Sequence, residues 1–217
     1  MYTGGASLLF RDGDAAPAAP GGAADAAGPA LHPPISPPRS PAPAHLAFVG
    51  NSDTANTILL ATSSDGLTWT EPVDKRTGDP VVFMAGRPGC WDEKGVAAGP
   101  QPEKLSNGDY LYVYNIDTGF PFHPGSNMSY LGRCALGWAI LDGQDPTVVV
   151  ARSPDAMLVP SAEWETCARV GKGYVCQEPE VLFSTGMKPL GGDQFLVFYG
   201  AADTDVGVAK IKVNIAK

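Results

Sequence analysis

Val197-Phe198-Tyr199-Gly200-Ala201-Ala202-Asp203-Thr204-Asp205-Val206-Gly207-Val208-Ala209 is the stretch that decides the fold class. An apolar run ends on an aromatic, a short Ala-Asp-Thr-Asp turn follows, and a second run with small residues returns. That order reads as strand, tight turn and antiparallel strand. Two earlier stretches repeat it: Ala47–Gly50 is followed by Ile58–Ala61, and Tyr112–Asn115 by Leu136–Ala139. The opening Met1-Tyr2-Thr3-Gly4-Gly5 looks like the end of one more such first strand. Repetition of a hairpin unit is the sequence signature of propeller blades.

The rest of the chain from His45 onward fits the same reading. Short runs of β-branched and aromatic residues alternate with Gly, Pro, Asn and Asp. The runs are Leu46–Val49, Thr57–Thr62, Pro80–Met84, Tyr110–Ile116, Cys134–Leu141, Thr147–Ala151, Phe195–Tyr199 and Val206–Val213. No window carries a helical period, so the fold class is all-β. A blade of four short strands takes roughly 40–60 residues. The 173 residues from His45 to Lys217 therefore hold three or four blades of a partial propeller, with the beginning of the ring expected to be missing. Residues 1–12 read as a remnant strand of a preceding blade. In residues 13–44, 24 of 32 positions are Ala, Pro or Gly. Such a segment buries too little apolar surface to offset its ordering entropy and reads as disordered.

Composition removes several function classes. The formal charge is −8 and the pI about 4.7. With no basic stripe, nucleic acid is not the expected partner, and no apolar run reaches the ~20 residues of a membrane span. The first residues have neither a basic n-region nor a long apolar h-region and do not read as a signal peptide. The Asn127-Met128-Ser129 sequon matters only in a secreted chain, so the compartment stays open, as does the oligomeric state. Cys90, Cys134, Cys167 and Cys176 lack the CxxC spacing of a zinc site. Cys167 and Cys176 could clip a short loop, although free buried thiols are the simpler expectation.

Five places in the chain stand out for chemistry or turn formation. Ser63-Ser64-Asp65-Gly66-Leu67-Thr68-Trp69 has the residues of a structural turn. In Trp91-Asp92-Glu93-Lys94-Gly95-Val96-Ala97-Ala98-Gly99-Pro100-Gln101-Pro102, a cation precedes a rigid extended path. Lys94 could hold an anionic group there by charge-assisted hydrogen bonds, or simply pair with Asp92 or Glu93 at the surface. Arg152 could line a pocket, but a pair with Asp145 across the hairpin is the expectation. Glu163, Glu165, Glu178 and Glu180 lie among Trp164 and Tyr174, a composition suited to sugar faces and hydroxyls, or to solvated loop charge. Asp203 either caps its hairpin or binds a sugar hydroxyl.

Taken in order, several stretches resemble glycoside hydrolase family 130. Trp91–Pro102 followed by Gly108–Tyr114 is similar to its central motif. Gly137–Pro146 with Arg152-Ser153 resembles a strand pair, and Val181–Gly186 with Phe195–Ala209 resembles its final blade. The resemblance implies a five-bladed propeller acting on β-mannosides, mostly by inverting phosphorolysis and in some members by hydrolysis. It needs no cofactor, with inorganic phosphate as co-substrate and an oligosaccharide as partner. It places Lys94 at the phosphate-binding lysine, Asp203 at a sugar-binding aspartate, and Tyr114 and Asn115 at substrate-binding positions. Asn115 stands where the family has a histidine, a departure that weighs against phosphate binding and leaves hydrolysis or no turnover open. The family's acid aspartate sits in an Asp-Pro-Arg motif, and none occurs here. The chain is therefore expected to be weakly active or inactive. The alternatives are a non-catalytic carbohydrate-binding propeller or a relative of arabinosidase and invertase propellers.

Overall fold

The computed structural model describes residues 6–10, 45–51, 57–117, 134–168 and 179–215. The low-complexity segment 13–44 lies outside them. Among the described residues there is no helix, only strands and turns. β1 (Ala6–Phe10), β2 (His45–Asn51), β3 (Thr57–Ser63) and β4 (Val82–Met84) form a first antiparallel sheet in chain order. β1 is its edge strand, so residues 6–10 join the sheet of β2, whereas the sequence reading gave them to a preceding blade. The second sheet is built from β5 (Val96–Ala97), β6 (Glu103–Lys104), β7 (Tyr110–Asp117), β8 (Cys134–Leu141) and β9 (Val149–Arg152). β5 and β6 both pair with β7, two halves of one strand broken at Gly99-Pro100-Gln101-Pro102. Proline cannot donate to a ladder, so the break falls where the sequence has two. The third sheet is β10 (Leu182–Gly191), β11 (Gln194–Ala201) and β12 (Asp205–Lys212).

The three hairpins seen in the sequence are β2–β3, β7–β8 and β11–β12, paired as Phe48↔Leu60, Val113↔Trp138 and Phe198↔Val208. The second sheet is buried on both faces, which explains why Tyr110–Ile116 is apolar almost without alternation. Tyr110, Tyr112, Tyr114 and Ile116 face the first sheet and pack with Phe48, Ile58, Leu60 and Met84. Val113, from the opposite face of β7, packs with Leu136 of β8 and with Leu182, Val197 and Tyr199 of the third sheet. Phe48 lies 5.1 Å from Tyr112 and 4.4 Å from Phe83, distances at which tilted rings attract. Three twisted sheets stacked face to face in chain order are successive blades of a propeller.

Candidate functional site

Register shows which loops share an end of the stack. In the second sheet, Lys94 leads into β5, Val96 pairs with Ile116, and Ala135 pairs with Ile116. β9 runs toward that end and stops part-way, where Arg152 pairs with Ala139. In the third sheet, Leu182 pairs with Ala201 and Ala201 with Asp205, so the 202–204 turn lies where β10 begins. Cys134 forms a parallel bridge with Val181, and the Ala202 N–H donates to the Val181 carbonyl at 2.9 Å. Lys94 and Asp203 thus stand at one rim of adjacent sheets, here called the upper rim. The Asp65, Asn107, Gln144 and Gly192 turns lie at the lower rim. There, the Ser106 N–H and hydroxyl donate to Asp193 at 2.8 and 2.6 Å and join the second sheet to the third.

Below Lys94 is a buried charge network. The Asp92 side chain is 0% exposed. Its carboxylate accepts from Arg87 Nε at 3.0 and 3.2 Å, from Arg152 Nη2, and from the Tyr114 hydroxyl at 3.0 Å. Arg87 Nη2 donates to the Ser153 carbonyl at 2.7 Å, as does Trp91 Nε1 at 3.1 Å. Arg152 Nη1 donates to the Ala85 carbonyl at 2.8 Å, and its guanidinium lies 5.1 Å above the Tyr114 ring. Arg152 therefore turns inward to Asp92 and Ala85, not to Asp145 as expected from the sequence. A desolvated guanidinium gains more from a buried carboxylate than from an exposed one. Burial disfavours the charge on Arg87, but the hydrogen bond and charge of Asp92 prevail and hold its pKa above the ordinary value. Burial is also the main reason that the Tyr114 phenol is raised and stays neutral.

The candidate residues fall into two pairs. Lys94 is 54% exposed, and its ammonium lies 3.4 Å from Glu93 Oε1, the surface pairing that the sequence offered as the plain alternative. Asp203 is exposed at the tip of its turn. Ala202 and Asp203 have φ of 51° and 50°, and the Thr204 N–H donates to the Ala201 carbonyl at 3.0 Å. Two consecutive left-handed residues without glycine are strained, and aspartate tolerates that conformation better than most. Tyr114 and Asn115, by contrast, are both 0% exposed. Tyr114 serves Asp92. Asn115 Nδ2 donates to the Ala98 carbonyl at 2.8 Å, and Oδ1 accepts from the Ser184 N–H and hydroxyl at 2.7 and 2.8 Å. Asn115 thus links β7 to β10 and to the chain after β5.

Glu165 is buried, accepting from the Ser161 and Ala162 N–H groups at 2.8 and 2.9 Å and from the Tyr199 hydroxyl at 2.9 Å. Burial, then the Glu165 contact, pushes the Tyr199 phenol up to about 12. Glu163 is exposed, and Glu178 and Tyr174 lie outside the described residues. Cys167 is disulfide-bonded, which corrects the expectation of free thiols for that residue, while Cys90 and Cys134 are free. The Ser63–Thr68 turn is structural: Asp65 Oδ1 accepts from the Leu67 and Thr68 N–H groups at 2.9 and 2.7 Å. Sequence reasoning missed Arg87 altogether, and the signal was slight: a cation five residues before Asp92 within one Gly/Pro turn.

The family model described as beta-1,4-mannooligosaccharide phosphorylase, of glycoside hydrolase family 130, matches residues 38–217. A beta-1,2-mannobiose phosphorylase from Thermoanaerobacter sp. (strain X514) is 33% identical over 134 residues, covering 62% of this chain and 37% of that protein. The structure of a glycosyl hydrolase from Bacteroides ovatus is 25% identical with a TM-score of 0.59, covering 77% of this chain and 42% of that one. A family-130 structure, from work on hydrolases that target beta-1,2 mannosidic linkages in Candida mannan, is 24% identical with a TM-score of 0.59, again covering 77% and 42%. The chain spans well under half the length of these relatives. The solved folds are five-bladed propellers, and the three sheets form part of such a ring.

Proposed function

The chain belongs to glycoside hydrolase family 130, and from that premise we propose that its upper rim binds a β-linked manno-oligosaccharide together with inorganic phosphate. Lys94 takes the anion and Asp203 a sugar hydroxyl. The observation that carries this reading is the convergence of an exposed lysine and an exposed, strained aspartate turn at one rim of neighbouring blades. Strain of that kind is retained where the surroundings enforce it, often at ligand contacts. Tyr114 and Asn115 support the site from below by fixing Asp92 and β10.

The chemistry this fits is cleavage of a mannosidic C–O bond. A phosphate oxygen attacks the anomeric carbon, the bond to the leaving oxygen breaks, and that oxygen receives a proton. The products are a mannosyl phosphate and a shortened saccharide. Lys94 neutralises part of the phosphate charge as it approaches the sugar. Water in place of phosphate gives hydrolysis at the same carbon.

The test uses the purified 217-residue chain with beta-1,2-mannobiose and inorganic phosphate, by calorimetric titration and by product analysis. Both ligands are expected to bind, with sugar affinity lost in Asp203→Ala. Because no Asp-Pro-Arg motif is present, turnover is expected to be lower by about 10²–10⁴-fold than with a general acid. Absence of sugar binding would refute the reading.

A further inference from the structure

We propose that Asp92 is the positioning residue for Lys94, setting the anion affinity of the upper rim without touching the anion. This rests on the reading of Lys94 as the phosphate contact. The Cys90–Gly95 segment is a tight turn: the Glu93 N–H donates to the Cys90 carbonyl at 3.1 Å and the Gly95 N–H to the Asp92 carbonyl at 3.3 Å. Gly95 has φ of 142°, a backbone geometry that side chains disfavour. Nothing apolar at the tip anchors this turn, since Glu93 and Lys94 are both exposed. Its buried side-chain anchors are Trp91, beneath the tip, and the Asp92 carboxylate, with the Gly89 N–H donating to Glu93 Oε2 at 2.9 Å at the surface.

That carboxylate is gripped from three elements: Arg87 before the turn, Tyr114 on β7 and Arg152 at the end of β9. A guanidinium pair and a phenol around one desolvated carboxylate make a rigid mount, because leaving any of them unpaired in the interior is costly. The mount fixes the Cα of Lys94 two residues away. The long side chain keeps its mobility, and the origin of its reach is set. Displacing a binding group by about 1 Å is enough to lose much of its contribution.

The mount also gives a test with opposite signs for two explanations. Arg87, Arg152 and Asp92 together carry one net positive charge, and Asp92→Asn adds another. If the network acts only through charge, Asp92→Asn tightens phosphate. If Asp92 positions Lys94, the same change weakens it. Inorganic phosphate and beta-1,2-mannobiose are titrated separately into the unsubstituted chain, Lys94→Met and Asp92→Asn, with amide spectra to verify folding. The expected result is a loss of phosphate affinity of about tenfold or more in both variants with mannobiose affinity unchanged, which a general loss of structure would not spare. Phosphate binding unchanged or tighter in folded Asp92→Asn, with Lys94→Met weakened, overturns the positioning role alone. No phosphate binding by the unsubstituted chain, or none lost in Lys94→Met, overturns the Lys94 reading as well. If Asp92→Asn does not fold, Tyr114→Phe decides, since it removes one donor and keeps the ring. A loss of about threefold for phosphate but not sugar supports the role, and no loss overturns it.

Discussion

Gly137→Ala should be among the most damaging single-methyl additions in the second sheet. Gly137 pairs with Tyr114 across β7–β8. A Cβ there would lie 2.7 Å from both Trp91 Cη2 and Tyr114 Cζ, and 2.8 Å from Trp91 Cζ2. Both rings are buried and held by hydrogen bonds, Trp91 to the Ser153 carbonyl and Tyr114 to Asp92. Neither can yield without loss. Overpacking a core costs about 1–3 kcal/mol, and displacing a donor from a buried carboxylate costs about 1.5–3 kcal/mol. Against this, alanine in a strand gains about 0.5–1 kcal/mol over glycine. The net is a destabilisation of about 1.5–5.5 kcal/mol, or a fall in Tm of roughly 3–20 °C for a chain of this size. Gly186→Ala is the matched control, because its Cβ would meet Phe198 at an ordinary 3.7 Å. It should be neutral or stabilising by up to about 1 kcal/mol. Urea and thermal unfolding of the two variants side by side give the answer. A Gly137→Ala chain as stable as the unsubstituted one would refute this packing of Trp91 over Gly137.

Asn115→Ala leaves the Ala98 carbonyl and the Ser184 N–H unpaired in the core, so unfolding should show a loss of about 2–4 kcal/mol. Asn115→Ala combined with Ser184→Ala should cost less than the sum of the single changes, because the two residues share one network. Asp65 is held down at about 2, chiefly by the Thr68 and then the Leu67 N–H groups. A lowered folded pKa means that its contribution is present above the unfolded value of 3.8 and fades as pH falls toward 2. The Leu67 and Thr68 amide resonances should therefore shift with a midpoint near pH 2, and a midpoint near 4 would show that the turn is not formed. The Tyr199 phenol has the opposite sign. Raised to about 12, it favours the fold below the unfolded value of 10.0, and that contribution is lost as pH rises to 12. Tyr199→Phe should flatten this alkaline loss in unfolding curves.

The hairpins were legible because each is local: two apolar runs and a turn, with pairing set by a few intervening residues. β10 was harder, since Gly186, Lys188 and Pro189 are poor strand residues, and its pairing with β11 overrides them. β5 and β6 have two residues each and are defined by β7 rather than by their own sequence. The site divides in the same way. Lys94 beside Glu93 was readable as neighbours in the chain. The grip of Arg152 on Asp92 spans 60 positions and exists only once β5 and β9 take their places on either side of β7 and β8. Nearness in sequence pointed Arg152 to Asp145, whose side chain instead accepts from the Thr147 N–H and hydroxyl. Asn115 was legible as a departure from the family's histidine, but its buried link to Ser184 depends on the third sheet.

The most direct measurement is amide shift mapping of the 217-residue chain during titration with beta-1,2-mannobiose and then phosphate. The expected perturbations gather at Lys94–Gly95 and Ala202–Thr204, while the Asp65, Asn107 and Gly192 turns stay still. Shifts confined to those lower turns, or saturation with no change near Lys94 and Asp203, would contradict a shared binding rim.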